Sequence, residues 1–600
     1  MLSSRRARRL CVERTMVCTL ALCVVGTLVF VGRAYSTAAR LLPTGPEPRP
    51  ISISGNRYGD VASSSATCSN GGLAMLELHG NAVDAAIATE FCLGVVGMQW
   101  TGLGGGGFAL VRAINGSYSF VDFRETAPIA AFRDMYNTDV NASIFGGLAR
   151  RKLHRVLILG SGVPGELQGL EYLHQQYGSL PWDVLLEPSI NLARDGFVVS
   201  SALNWAMNLW GPDSFLSQDA TWAIDFAPNG TRVGSGDTMF RKRYANLLES
   251  IAHEGPDASY TGTLAEATIR ALQQANGTMT LDDLQQYKVA LRRPVELKFG
   301  DYKIVSCGAP GGGSVVLSTM NIIKGYAGSV SPTDIKMSTY HLDQAIRFAY
   351  GQRVKLGDPS FVPGVDEWER DILSYGTGEY IRSKISDQHT LPISAYNPDG
   401  LKSADSHGTS HLVTADSLGM VVSLTSTVNL GFGSHLMVPE TGLILNNEMN
   451  DFSIPDAPNA DGYQPAAANY IAPGKRPLSS MSPSIAYFAG NQTFYYATGA
   501  ARGSHIITST IQSLWRVLSL QQSAREAIDA PRFHDQLIPD RIMFEPEYDH
   551  GTVAYLRDKG LNTTWSNGPL SFTHALKRHT NGTFEAVPDP RVRMDPGSDL

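Results

Sequence analysis

Charge is sparse and nearly balanced in this chain of 600 residues. Only 18% are Asp, Glu, Lys or Arg, the formal net charge is -7, and no long basic run occurs. A phosphate backbone has no concentrated positive field to grip, which sets nucleic-acid recognition aside. Cysteine is scarce too. Of six, Cys11, Cys18 and Cys23 fall in the first 35 residues, leaving Cys68, Cys92 and Cys307; these permit one disulfide and leave an odd thiol. G-x-S-x-G, H-E-x-x-H and C-x-x-C are all missing, so the common hydrolase and zinc signatures are absent. The body has no repeats and no low-complexity linkers.

What is present is apolar substance, 43% hydrophobic and 9% aromatic, enough for a large core. The first 35 residues stand apart. Arg5, Arg6, Arg8, Arg9 and Arg14 precede an uncharged run from Thr15 to Gly32, which as a helix spans roughly 27 Å, close to a bilayer core. The charge bias predicts a cytoplasmic tail over 1–14, a transmembrane signal anchor over 15–32, a stalk over 33–50 and the rest outside the cell, a single-pass type II plasma-membrane protein. The small residues between Ala34 and Ala39 leave a cleaved signal peptide as the alternative, with a secreted body. Sequons at Asn115, Asn141, Asn229, Asn276, Asn491, Asn562 and Asn581 agree with either address, and glycans would make those positions surface loops.

The body reads as mixed helix and strand. GGLAMLELHGNAVDAAIATEFCLGVV has helical spacing broken near Gly80 and Asn81. GVPGELQGLEYLHQQYG places Pro164 near a helix start and Gly178 past its end. Three stretches read as hairpins: GFALVRAINGSYSFVDF around an Asn-Gly turn, HLVTADSLGMVVSLTSTV, and SIAYFAGNQTFYYATGA. Hairpins with helices outside predict stacked antiparallel sheets covered on both faces. GLGGGGF at 102–108 matches a dinucleotide fingerprint formally, with Asp122 about twenty residues on. It leads into a strand, however, where phosphate binding needs a helix N-terminus, and so reads as tight backbone packing.

Gly408-Thr409 is the candidate centre of chemistry. A threonine hydroxyl needs a base, and an α-amine with pKa about 7.7–8.0 is one, provided that cleavage frees it. Gly408 offers no side chain to obstruct attack on its carbonyl. Downstream, TSTVNLGFGS, LILNNEMNDFS, RPLSSMSPS and TGAARGSHI place hydroxyls, amides and carboxylates within about a hundred residues of Thr409. With GTSHL, these segments closely resemble the small subunit of γ-glutamyltransferases, also called γ-glutamyl transpeptidases. GNAVDAAIA, FRETAP, GVPGELQGLE, PSINLARDGF, MTLDDLQQY and AIRFAYGQRVKLGDPSFV extend the resemblance from about residue 50 to the end.

The resemblance implies an α+β fold, the four-layer αββα sandwich of N-terminal-nucleophile hydrolases. It would be made as one proenzyme and cut before Thr409 into a large subunit (51–408) and a small catalytic subunit (409–600) that remain together as a heterodimer. It implies Thr409 as nucleophile, Thr427 as the residue that positions it, and the backbone amides of Arg502 and Gly503 as oxyanion hole. Arg124, Ser479 and Ser480 would grip a substrate α-carboxylate, and Asn429, Glu448 and Asp451 its α-ammonium. Such a division suits a zwitterion, since a guanidinium and hydroxyls complement one end and carboxylates the other. Cys68 and Cys92 match a disulfide of animal members; Cys307 is left as a small buried hydrophobe. No metal or organic cofactor is implied. The expected substrates are glutathione and related γ-glutamyl amides, with water, amino acids or dipeptides as acceptors.

Two positions depart from the family pattern. Gly431 stands where several members carry an aromatic, and Arg502 where many carry Gly. Gly503 is expected to absorb the awkward backbone angles, with the Arg502 side chain directed away from Thr409. The competing readings are a catalytically weak member acting as a cell-surface interaction protein, and a related acylase of another amide.

Overall fold

The computed structural model describes residues 58–137, 140–143, 160–326, 334–402, 408–456 and 464–592. The tail, anchor and stalk read over 1–50 lie outside these residues, as does the side chain of the Asn141 sequon. Among the described residues no helix is long and apolar enough to cross a membrane.

Twelve strands form the centre. The first six are Gly59–Ser63 (β1), Gly106–Arg112 (β2), Tyr118–Asp122 (β3), Ala290–Arg292 (β4), Val295–Phe299 (β5) and Tyr302–Ser306 (β6). The second six are Ser410–Asp416 (β7), Val421–Thr427 (β8), Ser484–Phe488 (β9), Phe494–Ala501 (β10), Phe572–Arg578 (β11) and Phe584–Val587 (β12). They make two six-stranded sheets ordered β1-β7-β8-β2-β3-β4 and β12-β11-β10-β9-β6-β5, with every neighbouring pair antiparallel.

The two sheets pack face to face. Phe108, Leu110, Val413, Val421, Ile485 and Leu576 fill the space between them. The alternate residues Ala109, Val111, Leu412, Val422 and Leu424 point outward into a second core with the helices Ala66–Glu77 (α1), Ala82–Val96 (α2), Glu166–Tyr177 (α3) and Trp182–Asp195 (α4). Behind the other sheet, Gly313–Ile323 (α5), Ile335–Arg353 (α6) and His505–Leu518 (α7) bury their apolar faces on Ile304, Ala486 and Tyr496. The period-2 alternation of the inner strands is thus apolar on both faces, as burial between two layers requires. The expected α+β sandwich of stacked antiparallel sheets is what the chain forms.

Local chemistry accounts for the boundaries. The helical pattern breaks at Gly80-Asn81 because Asn81 caps α2, its side chain accepting from Val83 and Asp84 while Asp84 returns a bond to the Asn81 N–H. The three hairpins fall where the turn residues place them. The glycine run serves close packing. A Cβ at Gly104, Gly105 or Gly107 would strike the carbonyls of Ile444, Thr427 and Thr425, so these glycines let β2 and the loop before it lie against β8 and the segment at Ile444. Cys68 and Cys92 form a disulfide tying the start of α1 to α2, and Cys307 is a free, fully buried thiol.

Candidate active site

Thr409 immediately precedes β7, and Thr427 ends β8. Ser410 pairs with Ser426, so the two threonines lie at the same end of adjacent strands. Odd-numbered residues of both strands face the second sheet, which puts both threonine side chains on the inter-sheet face. The Thr427 hydroxyl donates to the Gly408 carbonyl at 2.9 Å and accepts the Asn429 N–H at 2.7 Å. The Thr409 hydroxyl also bonds to the Gly408 carbonyl. That carbonyl carries two hydroxyl donors, which polarise it. A Cβ at position 408 would strike the Asn429 carbonyl, so Gly408 is required by packing as well as by access.

A buried charge cluster stands beside this strand end. Arg124 is fully buried and forms ion pairs with Glu448 and, at 2.6 Å, with Asp451. Burial opposes the guanidinium's charge, but Glu448, Asp451 and Glu125 outweigh it and hold its pKa above the ordinary value. Three carboxyls surround one cation, and burial pushes Glu448 well above the usual carboxylate range and Glu125 up to about 7. Acceptors remain to spare. Both oxygens of Glu125, Oδ1 of Asp451 and Oδ1 of Asn429 are buried without a hydrogen-bond partner. An ammonium group supplies the donors and charge that this set lacks, and a carboxylate would compete for Arg124.

The loop carrying Glu448 and Asp451 is held by two asparagines that sequence reasoning passed over. Asn446 donates to Gly104 O (2.7 Å) and Gly162 O (2.9 Å), and accepts from Gly162 N (2.8 Å) and Glu448 N (2.9 Å). Asn447 accepts the Leu430 N–H at 3.0 Å, while its carbonyl takes a bond from the Asn429 side chain at 3.1 Å. The signal was the doubled Asn in LILNNEMNDFS, a residue type whose amide satisfies donors and acceptors at once.

Ser479 and Ser480 are buried, and neither hydroxyl is hydrogen-bonded to Arg124. The Ser479 hydroxyl accepts from Met481 N at 3.2 Å, and that of Ser480 accepts from Arg353 at 3.0 Å, which leaves each hydroxyl proton to donate elsewhere. Arg502 differs from expectation. Its own φ is +90°, and that of Gly503 is +61°, so Gly503 does not relieve the position and Arg502 bears the strained conformation itself. The physical reason is that a glycine's freedom acts on its own torsions and not on the φ of the residue before it; the Arg502 side chain bonds to the Pro569 carbonyl and lies over Phe572. Neither the Arg502 nor the Gly503 N–H donates to another described residue. His411, two residues past Thr409, packs against Gly499, three before Arg502. At Gly431 the space next to a would-be side chain is bordered by the Trp100 ring, 3.7 Å from the Cβ position. Six sequon asparagines, Asn115, Asn229, Asn276, Asn491, Asn562 and Asn581, are exposed.

An αββα sandwich with a Gly-Thr peptide at the head of an inner strand, beside a buried cluster of one arginine and three carboxyls, has the fold of the N-terminal-nucleophile hydrolases. The chain belongs to the gamma-glutamyltranspeptidase family, whose model matches residues 68–597. It is 44% identical over 560 residues to the glutathione hydrolase proenzyme of Arthroderma benhamiae, covering 91% of this chain and 94% of that protein. To the glutathione hydrolase of Aspergillus flavus it is 43% identical over 546 residues, 90% and 89% of the two chains. Among solved structures, cephalosporin acylase from Bacillus halodurans shares the fold with a TM-score of 0.74 at 23% identity, covering 92% of this chain and 97% of that one. Helicobacter pylori gamma-glutamyltranspeptidase matches at 28% identity and a TM-score of 0.51 over 58% of this chain and 96% of that one.

Proposed function

We propose that the protein is a glutathione hydrolase and γ-glutamyltransferase that cuts itself before Thr409. The observation that carries this reading is the Gly408 carbonyl, which receives the hydroxyls of both Thr409 and Thr427. In the uncut chain, Thr409 Oγ1 attacks the Gly408 carbonyl carbon, the bond to the Thr409 nitrogen breaks, and that nitrogen takes the proton. Water then hydrolyses the Gly408 ester, leaving a Gly408 carboxylate and a Thr409 with free hydroxyl and amine.

The same machinery then serves a substrate. The amine is the base for the hydroxyl, and Thr427 orients it. A γ-glutamyl group enters with its α-carboxylate toward Arg124 and its α-ammonium toward Glu448, Asp451 and Asn429, exchanging the internal ion pairs for its own two charges. The γ-carbonyl reaches Thr409, the Arg502 and Gly503 N–H groups receive the oxyanion, and the amine departs. Water or an amine acceptor releases the γ-glutamyl group from the Thr409 ester. An address outside the cell, with the body anchored by the apolar run at 15–32, is part of this proposal and is supported by the arginines that precede that run.

The test is to express the full chain, look for two polypeptides, sequence the new N-terminus and assay release from a γ-glutamyl anilide. A single chain lacking a Thr409 N-terminus after purification from its own compartment would end this reading and favour the interaction-protein alternative.

A further inference from the structure

On the side of β8 turned away from Thr409, four polar side chains form a cluster that the mechanism above leaves unused. Residue faces alternate along β8, so Ser426 points into the helical layer while its neighbour Thr427 points at Gly408. The Ser426 hydroxyl lies 2.5 Å from Glu90 Oε1 and 2.6 Å from the Thr101 hydroxyl. Thr101 in turn lies 2.9 Å from Glu90 Oε1 and 3.2 Å from Glu166 Oε2. Glu90 is on α2, Glu166 opens α3, and all four residues are buried.

Counting protons shows what such a cluster needs. Two hydroxyls supply two protons, the Gly102 N–H adds one donor to Glu166, and two ionised carboxylates supply none. Both carboxylates ionised would put like charges on either side of one hydroxyl, in a dry place, with a shortage of donors. Among the described residues no cation forms an ion pair with them. Arg241 is committed to the carbonyls of Gly94, Val95 and Gly442, and Arg124 to Glu448 and Asp451. The other groups facing the pair are Tyr244, Tyr260, whose hydroxyl donates to the Pro164 carbonyl, and Glu125, which adds negative charge. One further proton completes a chain running from Glu166 to Thr101, to Ser426 and to Glu90.

We propose that Glu90 and Glu166 share one proton through Thr101, and that this cluster positions the end of β8 so that Thr427 is aimed at the Gly408 carbonyl. Burial acts in the same sense, pushing Glu90 up to about 7 and Glu166 well above the usual carboxylate range. Loss of the shared proton places a second charge against Thr101, the hydroxyl that holds Ser426, and disturbs the strand end. The residues act through Thr427 and touch no substrate.

The kinetic half of the test rests on the self-cleavage reading; the spectroscopic half does not. Full-length precursor made by cell-free synthesis is shifted to buffers of graded alkaline pH, and the appearance of two polypeptides is timed. Thr409 nitrogen is still an amide at this stage, so its later titration does not intrude. The wild-type rate is expected to fall about tenfold per pH unit once the proton is lost. Glu166→Gln, which mimics the protonated partner, should cleave at the wild-type neutral rate without that fall. Glu90→Ala and the milder Ser426→Ala should slow cleavage roughly ten- to hundredfold at every pH. In parallel, infrared spectra of the uncut Thr409→Ala chain at neutral pH should show a protonated-carboxyl band that Glu166→Gln removes. An unchanged alkaline fall in Glu166→Gln, wild-type cleavage in Ser426→Ala, or no such band would overturn the proposal. Failure of the wild type to cleave, with the band present, would count against self-cleavage and leave the shared proton standing.

Discussion

Arg124 and Asp451, 327 positions apart in the chain, meet at 2.6 Å in a place closed to solvent. The residues assigned to opposite ends of an amino-acid substrate therefore neutralise each other before a substrate arrives. Arg124→Ala should lower kcat/KM by roughly one and a half to three and a half decades, the equivalent of about 2–5 kcal/mol. Self-cleavage should persist. Arg124→Lys should recover only part, since a point charge cannot reproduce the fork. Steady-state kinetics on a γ-glutamyl anilide decide the matter, and unchanged values in Arg124→Ala would remove the residue from the site.

Thr409→Ala should yield one polypeptide where the wild type yields two, because it removes the oxygen that attacks the doubly bonded Gly408 carbonyl. Thr427→Ala should cleave slowly rather than not at all, by roughly a hundredfold, since the attacking oxygen remains and only its aim is lost. Electrophoresis of fresh precursor over time separates the two outcomes.

Arg502 holds a φ of +90°, a conformation that costs a non-glycine residue about 1–3 kcal/mol. Arg502→Gly should relieve that strain, raise kcat/KM and leave self-cleavage unaltered. Arg502→Ala keeps the strain and loses the Pro569 and Phe572 contacts, so it should melt below both. A tenfold or larger loss of activity in Arg502→Gly would show that the guanidinium contributes to catalysis.

Glu125 supplies a pH signature. Burial raises its pKa to about 7 from an ordinary 4.5, so the folded chain binds this proton more tightly than the unfolded one. Its stabilising contribution is complete below about pH 4.5 and is lost as pH rises through 7, at most about 3 kcal/mol. Melting of the uncut Thr409→Ala chain should therefore weaken between pH 5 and 8, and Glu125→Gln should flatten that slope. Parallel slopes in the two proteins would contradict the assignment.

The Cys68–Cys92 bridge closes a loop of 24 residues between α1 and α2. In the chain-entropy account a loop of that size is worth about 3 kcal/mol. The double Cys→Ala variant should lose that much in thermal unfolding while the site keeps its kinetics below the melting range.

The sequence by itself determined what local chemistry can carry. The Asn81 cap splits one apolar helical pattern into two helices, the three hairpins follow their turn residues, and the glycines at 104–107 announce close packing before the partner surface is known. Gly408-Thr409 is legible for the same reason, since nucleophile and scissile peptide are adjacent in the chain. Only the tertiary structure decided what depends on residues hundreds of positions apart. An Arg124 followed by Glu125 reads as a surface pair until folding buries both beside Glu448 and Asp451. Asn446 has no visible role until Gly104 and Gly162 converge on it. Arg502 has a positive φ that no local signal announces, and its side-chain partners, the Pro569 carbonyl and the Phe572 ring, lie about seventy positions away. Glu90 and Glu166 share no motif, and the second residue of the pair lies on another helix. Backbone propensity and turn chemistry act over a few residues, whereas burial, which raises these carboxyls and strengthens their hydrogen bonds, exists only once the layers have closed.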